Sequence, residues 1–190
     1  MAGSRAVGDE TPRPNLEIEQ GLVQEIIARA VARMELPDSS ILWLHELPNS
    51  STWSWLIEQG LARHCAARRL QKGTAEQGDF PQLSYAPLTL SVQYTADRDQ
   101  QGRAITRTIT CAIHLRYETL SGMLQFAEDF KAEYSDSIDR ASISRIENKA
   151  YAFTTGPHLP ATLFHKVIEP ILITLITGGI IYVFYSFRSH

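Results

Sequence analysis

Residues 88–94 read LTLSVQY and residues 108–117 read TITCAIHLRY. Both alternate apolar and polar side chains at a period of two, the spacing of a strand with one buried and one solvated face. In the first, Leu88, Leu90, Val92 and Tyr94 point one way, and Thr89, Ser91 and Gln93 the other. In the second, Ile109, Cys111, Ile113, Leu115 and Tyr117 point inward, while Thr108, Thr110, His114 and Arg116 face out. Asp97–Gly102 supplies the turn between them, and Ser121-Gly122 the turn into a third strand. That strand carries Leu124, Phe126, Phe130 and Tyr134 on one parity, with Glu128 breaking the row as at a bulge. The three together make an antiparallel meander.

Upstream, the period changes to that of a helix. Ile18, Leu22, Ile26 and Met34 recur on one side of residues 15–36, with Val23, Ile27, Ala30 and Val31 broadening the stripe. Asn15 is the expected N-cap, and Glu17 and Glu19 meet the helix dipole. SILWLHE at 40–46 is a short buried strand. A second helix over residues 52–68 carries Trp53, Leu56, Ile57, Leu61 and Cys65 on one face. Leu70 belongs to a short extra strand, and residues 73–82 form a polar linker. Downstream, residues 135–152 are expected as a third helix carrying Ile138, Ile143, Ile146 and Tyr151. The resulting fold class is a two-layer α/β (α+β) sandwich, with helices on a mainly antiparallel sheet.

The chain then changes character. Residues 170–187 read PILITLITGGIIYVFYSF, uncharged throughout and about 27 Å long as a helix. That nearly spans a hydrocarbon core of about 30 Å, so the expectation is one C-terminal transmembrane helix. Tyr182 and Tyr185 fall where an interfacial aromatic belt lies, followed by Arg188. Thr174 and Gly178 form a small-xxx-small pair beside Gly179, a face for helix association that would support a homodimer. The expected organisation is a disordered tail at 1–14, a soluble domain at 15–157, a juxtamembrane segment at 158–169, the span at 170–187 and a short tail at 188–190.

Net charge -3 argues against bulk nucleic-acid binding. Residues 1–15 hold no apolar run of the length a secretory signal requires. The expectation is therefore a single-pass, tail-anchored membrane protein with its domain in the cytoplasm; the alternative is the periplasm. Cys65 and Cys111 sit on different elements without metal or disulfide spacing, and the six histidines show no H-E-x-x-H arrangement. No G-x-S-x-G elbow or phosphate-cradling loop occurs, so no cofactor is implied and an enzyme is not expected. One basic cluster stands out: Arg63, Arg68, Arg69 and Lys72, beside His64. Its ordinary reading is a solvated helix end favourable to the dipole, and its functional reading is contact with lipid headgroups or an acidic partner.

The element order, ending in the hairpin Tyr117-Glu118-Thr119-Leu120-Ser121-Gly122-Met123-Leu124, resembles one known bacterial module. It is similar to the N-terminal α/β domain of TolB-like proteins and of the curli-secretion and FlgO-type outer-membrane lipoproteins. That resemblance covers residues 16–152 and implies assembly and protein contact rather than catalysis. The chain departs from it in lacking a signal peptide and a lipidated N-terminal cysteine. The function expected is thus a protein-interaction or assembly module at the membrane surface. Its partners would be proteins at or in the membrane, together with membrane lipid. The alternative is a small accessory subunit of a larger membrane complex; third comes an enzyme acting on a membrane-associated substrate.

Overall fold

In the computed structural model, residues 11–34, 41–48, 51–66, 69–73, 80–96 and 104–157 are described. The chain divides into two units, Met1–Pro157 and His158–His190, and every described residue belongs to the first. The elements run α1 (Asn15–Val31), β1 (Ile41–Glu46), α2 (Ser54–His64), β2 (Arg69–Lys72), β3 (Gln82–Ala96), β4 (Ala104–Glu118) and β5 (Leu124–Asp139). A 3₁₀ turn (Arg140–Ser142), a short α3 (Ile143–Ile146) and a second 3₁₀ turn (Ala152–Thr154) follow.

The five strands form one sheet in the order β2-β1-β3-β4-β5. β1 pairs in parallel with both β2 and β3, and β3, β4 and β5 form the antiparallel meander. Leu70 does lie on a short edge strand, opposite Leu42. Both long helices pack on one face, here called inner. Ile18, Leu22, Val23, Ile26 and Ile27 of α1, and Leu56, Ile57 and Leu61 of α2, are buried there with Leu83, Tyr85, Ile109, Ile113, Leu115 and Tyr117. Helix and strand periodicities meet in one apolar layer, the main favourable term in folding.

Several local expectations are corrected. Leu88 points outward and is 43 % exposed. β3 begins at Gln82, within the expected linker, and a register shift lies between Pro87 and Thr89. The extra residue there reverses which parity faces the core: Leu83 and Tyr85 are buried before it, Val92 and Tyr94 after it. The third helix is mostly absent. β5 runs on to Asp139, because β4 extends back to Ala104 and its first half needs a partner; Ala104 faces Asp139 and Ile105 faces Ile138. Helix appears only as α3 and its flanking turns, and Tyr151 lies outside it.

Glu128 marks no bulge, since the β4–β5 shift falls between Tyr117 and Glu118; Glu128 instead pairs with Arg33, in the turn just after α1. Leu124 is 50 % exposed because it stands at the hairpin tip, beyond the helices. Finally, Asn15 is not the N-cap of α1. Pro14 holds that position, and the Asn15 side chain turns into the core.

What holds Asn15 there is a buried polar cluster centred on Arg107, which is 0 % exposed. Its Nε and Nη2 donate to Oδ1 and Oδ2 of Asp136, at 2.8 and 2.5 Å. Its Nη1 donates to Asn15 Oδ1 and to the Arg13 carbonyl. Asn15 Nδ2 in turn donates to Tyr94 Oη at 2.8 Å and to the Thr154 carbonyl at 2.7 Å. A buried charge persists only when paired and hydrogen-bonded, and this one is both. Burial pushes the Tyr94 phenol up to about 12, so it stays neutral.

Candidate interaction surface

The outer face of the sheet carries no long helix among the described residues. Its rows follow from the registers. His45 lies beside Ser84, Arg116 and Ala127, and one step along, Ala86 lies beside His114 and Asp129. Ser84, Ala86 and Ala112 are 6, 6 and 5 % exposed. The outcome is a shallow floor of small side chains across β3 and β4. Around it stand Leu88, 43 % exposed, and the Trp43–Phe80 ring pair at 6.4 Å, with Phe80 42 % exposed.

Two side-chain pairs on this face are matched within the chain, while Lys131 and Glu133 of β5 stand exposed on it. His114 Nδ1 lies 2.7 Å from Asp129 Oδ1, and Arg116 contacts Glu118. Farther along, beyond the bulge, the face becomes a hydroxyl field: Thr89 and Ser91 on β3, Thr106, Thr108 and Thr110 on β4, Ser135 and Ser137 on β5. Thr108 and Ser135 approach to 3.5 Å. The apolar floor and its hydroxyl border carry less strongly solvated surface than a fully charged face, which suits a surface that is covered part of the time.

The basic cluster lies elsewhere, at one lateral edge. Arg63 and His64 are exposed at the end of α2, and Arg69 is exposed at the start of β2. Lys72 is engaged: its Nζ donates to Glu58 Oε1 at 2.5 Å, which also accepts from Tyr85 Oη at 2.8 Å. Arg68 lies outside the described residues, as do Thr174, Gly178, Gly179, Tyr182, Tyr185 and the whole run from 170 to 187. No helix among the described residues is long and apolar enough to cross a membrane.

A groove of about 380 Å³ runs along Leu90–Thr95 beneath Ala152, Phe153, Thr155 and Pro157. Its side chains include no carboxylate, amine, imidazole or thiol, and its Tyr94 phenol is held neutral by burial, so it offers no general acid–base pair. Cys65 and Cys111 are buried, and burial, then the neighbouring Glu19, pushes the Cys111 thiol up to about 12. Such a thiol is inert. Among the described residues no group of His, Cys, Asp and Glu is placed to hold a metal ion.

Thr108, Thr110, His114 and Arg116 face out as the alternation predicts, whereas the floor residues Ser84 and Ala86 precede residue 88, where the alternating stretch begins. Arg107 did carry a signal: it shares the odd parity of Ile109, Cys111 and Ile113, which point inward.

No family model matches the chain, and no curated protein matches it. Solved structures similar to it include the LpoB C-terminal domain from Salmonella enterica, at 7 % identity and TM-score 0.32, over 60 % of this chain and 97 % of that one. A putative neuraminyllactose-binding hemagglutinin homolog from Helicobacter pylori matches at 13 % identity and TM-score 0.26, over 62 % and 82 %. At these scores neither likeness carries an argument. The TolB-like, curli-secretion and FlgO-type families are not among what these comparisons show.

Proposed function

We propose that this is a tail-anchored, single-pass membrane protein of bacterial type whose α/β domain is a protein-interaction module held at the membrane surface. Two features support the reading. The uncharged run 170–187 has the length and aromatic flank of a span. Among the described residues of the domain preceding it, one sheet face carries no long helix, with Leu88 and Phe80 exposed on it. The second is the observation that carries the interaction reading. A sheet face with an apolar floor and a hydroxyl border is suited to a partner protein.

On this reading the anchor concentrates the domain at the bilayer, a homodimer through Thr174 and Gly178 is one way of pairing it, and Arg63, Arg68 and Arg69 contact headgroups or an acidic partner. The domain is placed in the cytoplasm. The test is co-purification of the full chain from membranes in mild detergent, with and without Leu88→Asp and Phe80→Asp. Both side chains are exposed, so the fold should survive. Loss of a stoichiometric partner is expected; an unchanged partner set in the doubly substituted chain would overturn the assignment of this face.

A further inference from the structure

Six large apolar side chains are exposed among the described residues, and three of them, Leu120, Met123 and Leu124, stand together on the β4–β5 hairpin at 62, 66 and 50 % exposure. They are presented, not collapsed, because the turn beneath them is closed. Gly122 takes φ +74°, the left-handed conformation glycine adopts freely. Its N–H donates to the Thr119 carbonyl, and the Thr119 N–H donates to the Met123 carbonyl, both at 2.9 Å. From Thr119 to Gln125 the sequence TLSGMLQ carries no charge. The hairpin ends in a convex, ordered, uncharged apolar tip.

We infer that this tip is a membrane-insertion loop that dips Leu120, Met123 and Leu124 into the bilayer to which the chain is anchored. The inference rests on the membrane reading above and adds a second contact to it. The occupant is argued from shape, charge and reach. A lipid surface deforms around a protruding tip and accepts apolar side chains to a depth of about 5–10 Å. No lysine or arginine lies in the tip, so the insertion is apolar and indifferent to headgroup charge. Residues 158–169 separate the last described residue from the run at 170, and that length of extended chain reaches about 40 Å. β3, which lies alongside the hairpin strands, is 15 residues long, roughly 50 Å. Gly156 lies against Val92, about two-thirds of the way up it from the tip end. That reach exceeds the roughly 33 Å of β3 between Gln82 and Val92, so the anchor and the tip can engage one bilayer together.

The test uses the full chain carrying Met123→Cys, labelled with an environment-sensitive dye and reconstituted in phosphatidylcholine vesicles. The native thiols of Cys65 and Cys111 are 1 % and 0 % exposed and escape the label. A label at the exposed Gln59 of α2 serves as the control. The expected result is a blue shift and several-fold stronger quenching by spin-labelled lipid at the tip than at the control, equal in zwitterionic and anionic vesicles and abolished by Leu120→Asp. A water-like tip on a chain that still sediments with vesicles would overturn the insertion and leave the membrane reading standing. A tip shielded from water but not quenched by lipid would assign it to a protein and overturn the inference. A chain that fails to enter vesicles at all would remove both readings.

Discussion

Arg107 and Asp136 are register partners across the β4–β5 ladder, and the fully enclosed guanidinium grips both carboxylate oxygens of the aspartate. The two ends of this pair are not equivalent. Asp136 keeps a 24 % exposed side chain, whereas Arg107 has none.

Removing the acid should therefore cost more than removing the base. Asp136→Ala leaves a buried guanidinium uncompensated, a loss of about 3–5 kcal/mol. Arg107→Met leaves a carboxylate that water still reaches, and the apolar stem fills part of the space. Denaturant unfolding of the two variants should rank them in that order; equal losses would show that the cluster is not anchored by the arginine's burial.

Glu19 gives a pH dependence of opposite sign to the usual acid response. Its side chain is 0 % exposed and both carboxyl oxygens lack partners among the described residues, and burial pushes the carboxyl up from 4.5 to about 8. The folded state thus binds this proton more tightly than the unfolded chain. Its contribution is complete below about pH 4.5, declines by up to about 1.4 kcal/mol per pH unit as pH rises towards 8, and then levels off. Glu19→Gln should flatten this segment of the stability profile and be the more stable protein at pH 8. A wild-type curve that rises between pH 5 and 8, with the variant parallel to it, would refute the assignment.

Gly60 marks the closest approach of α2 to α1. A β-carbon there would lie 2.4 Å from Ile27 Cδ1. Gly60→Ala gains about 1 kcal/mol in helix propensity but overpacks the contact by about 1–3 kcal/mol. Ile27→Val removes the offending methyl. The double variant should be more stable than the sum of the single changes predicts, by about 0.5 kcal/mol or more. Strict additivity in thermal unfolding would mean that Ile27 swings aside without cost.

Gly122 tests the hairpin turn. With φ at +74° and open space around it, the restriction is backbone conformation and not packing. Gly122→Val should destabilise by about 1–2 kcal/mol, and Gly122→Asn by clearly less. Equal effects would show that the turn relaxes to another conformation.

The parts of this fold that were legible share one property: their pattern is set by the layer they bury. Ile18, Leu22 and Ile26 in α1, Trp53, Leu56 and Ile57 in α2, and Ile109 to Tyr117 in β4 are all buried as their periods require. What was not legible depends on distant partners. Ile138 and Ile146 fit a helical stripe, yet Ile138 is drawn into β5 by Ile105, which no local pattern announces. Leu88 fails for a subtler reason, one inserted residue after Pro87 that reverses parity without altering the alternation. At the candidate surface the basic residues were visible as a cluster, but the Lys72–Glu58 pair that engages one of them joins β2 to α2 and needed the fold. Asn15 reads as a helix cap in any sequence, and only the presence of Arg107, 92 residues away, turns it inward.

The bond from Asn15 to the Thr154 carbonyl has a mechanical meaning. Thr154 stands three residues before Pro157, where the described chain ends, and its hydroxyl is tied to the carbonyls of Asn148 and Tyr151. A pull on the chain at Pro157 would reach Thr154 first and, through Asn15 and Arg107, be shared by the first turn of α1 and the ends of three strands.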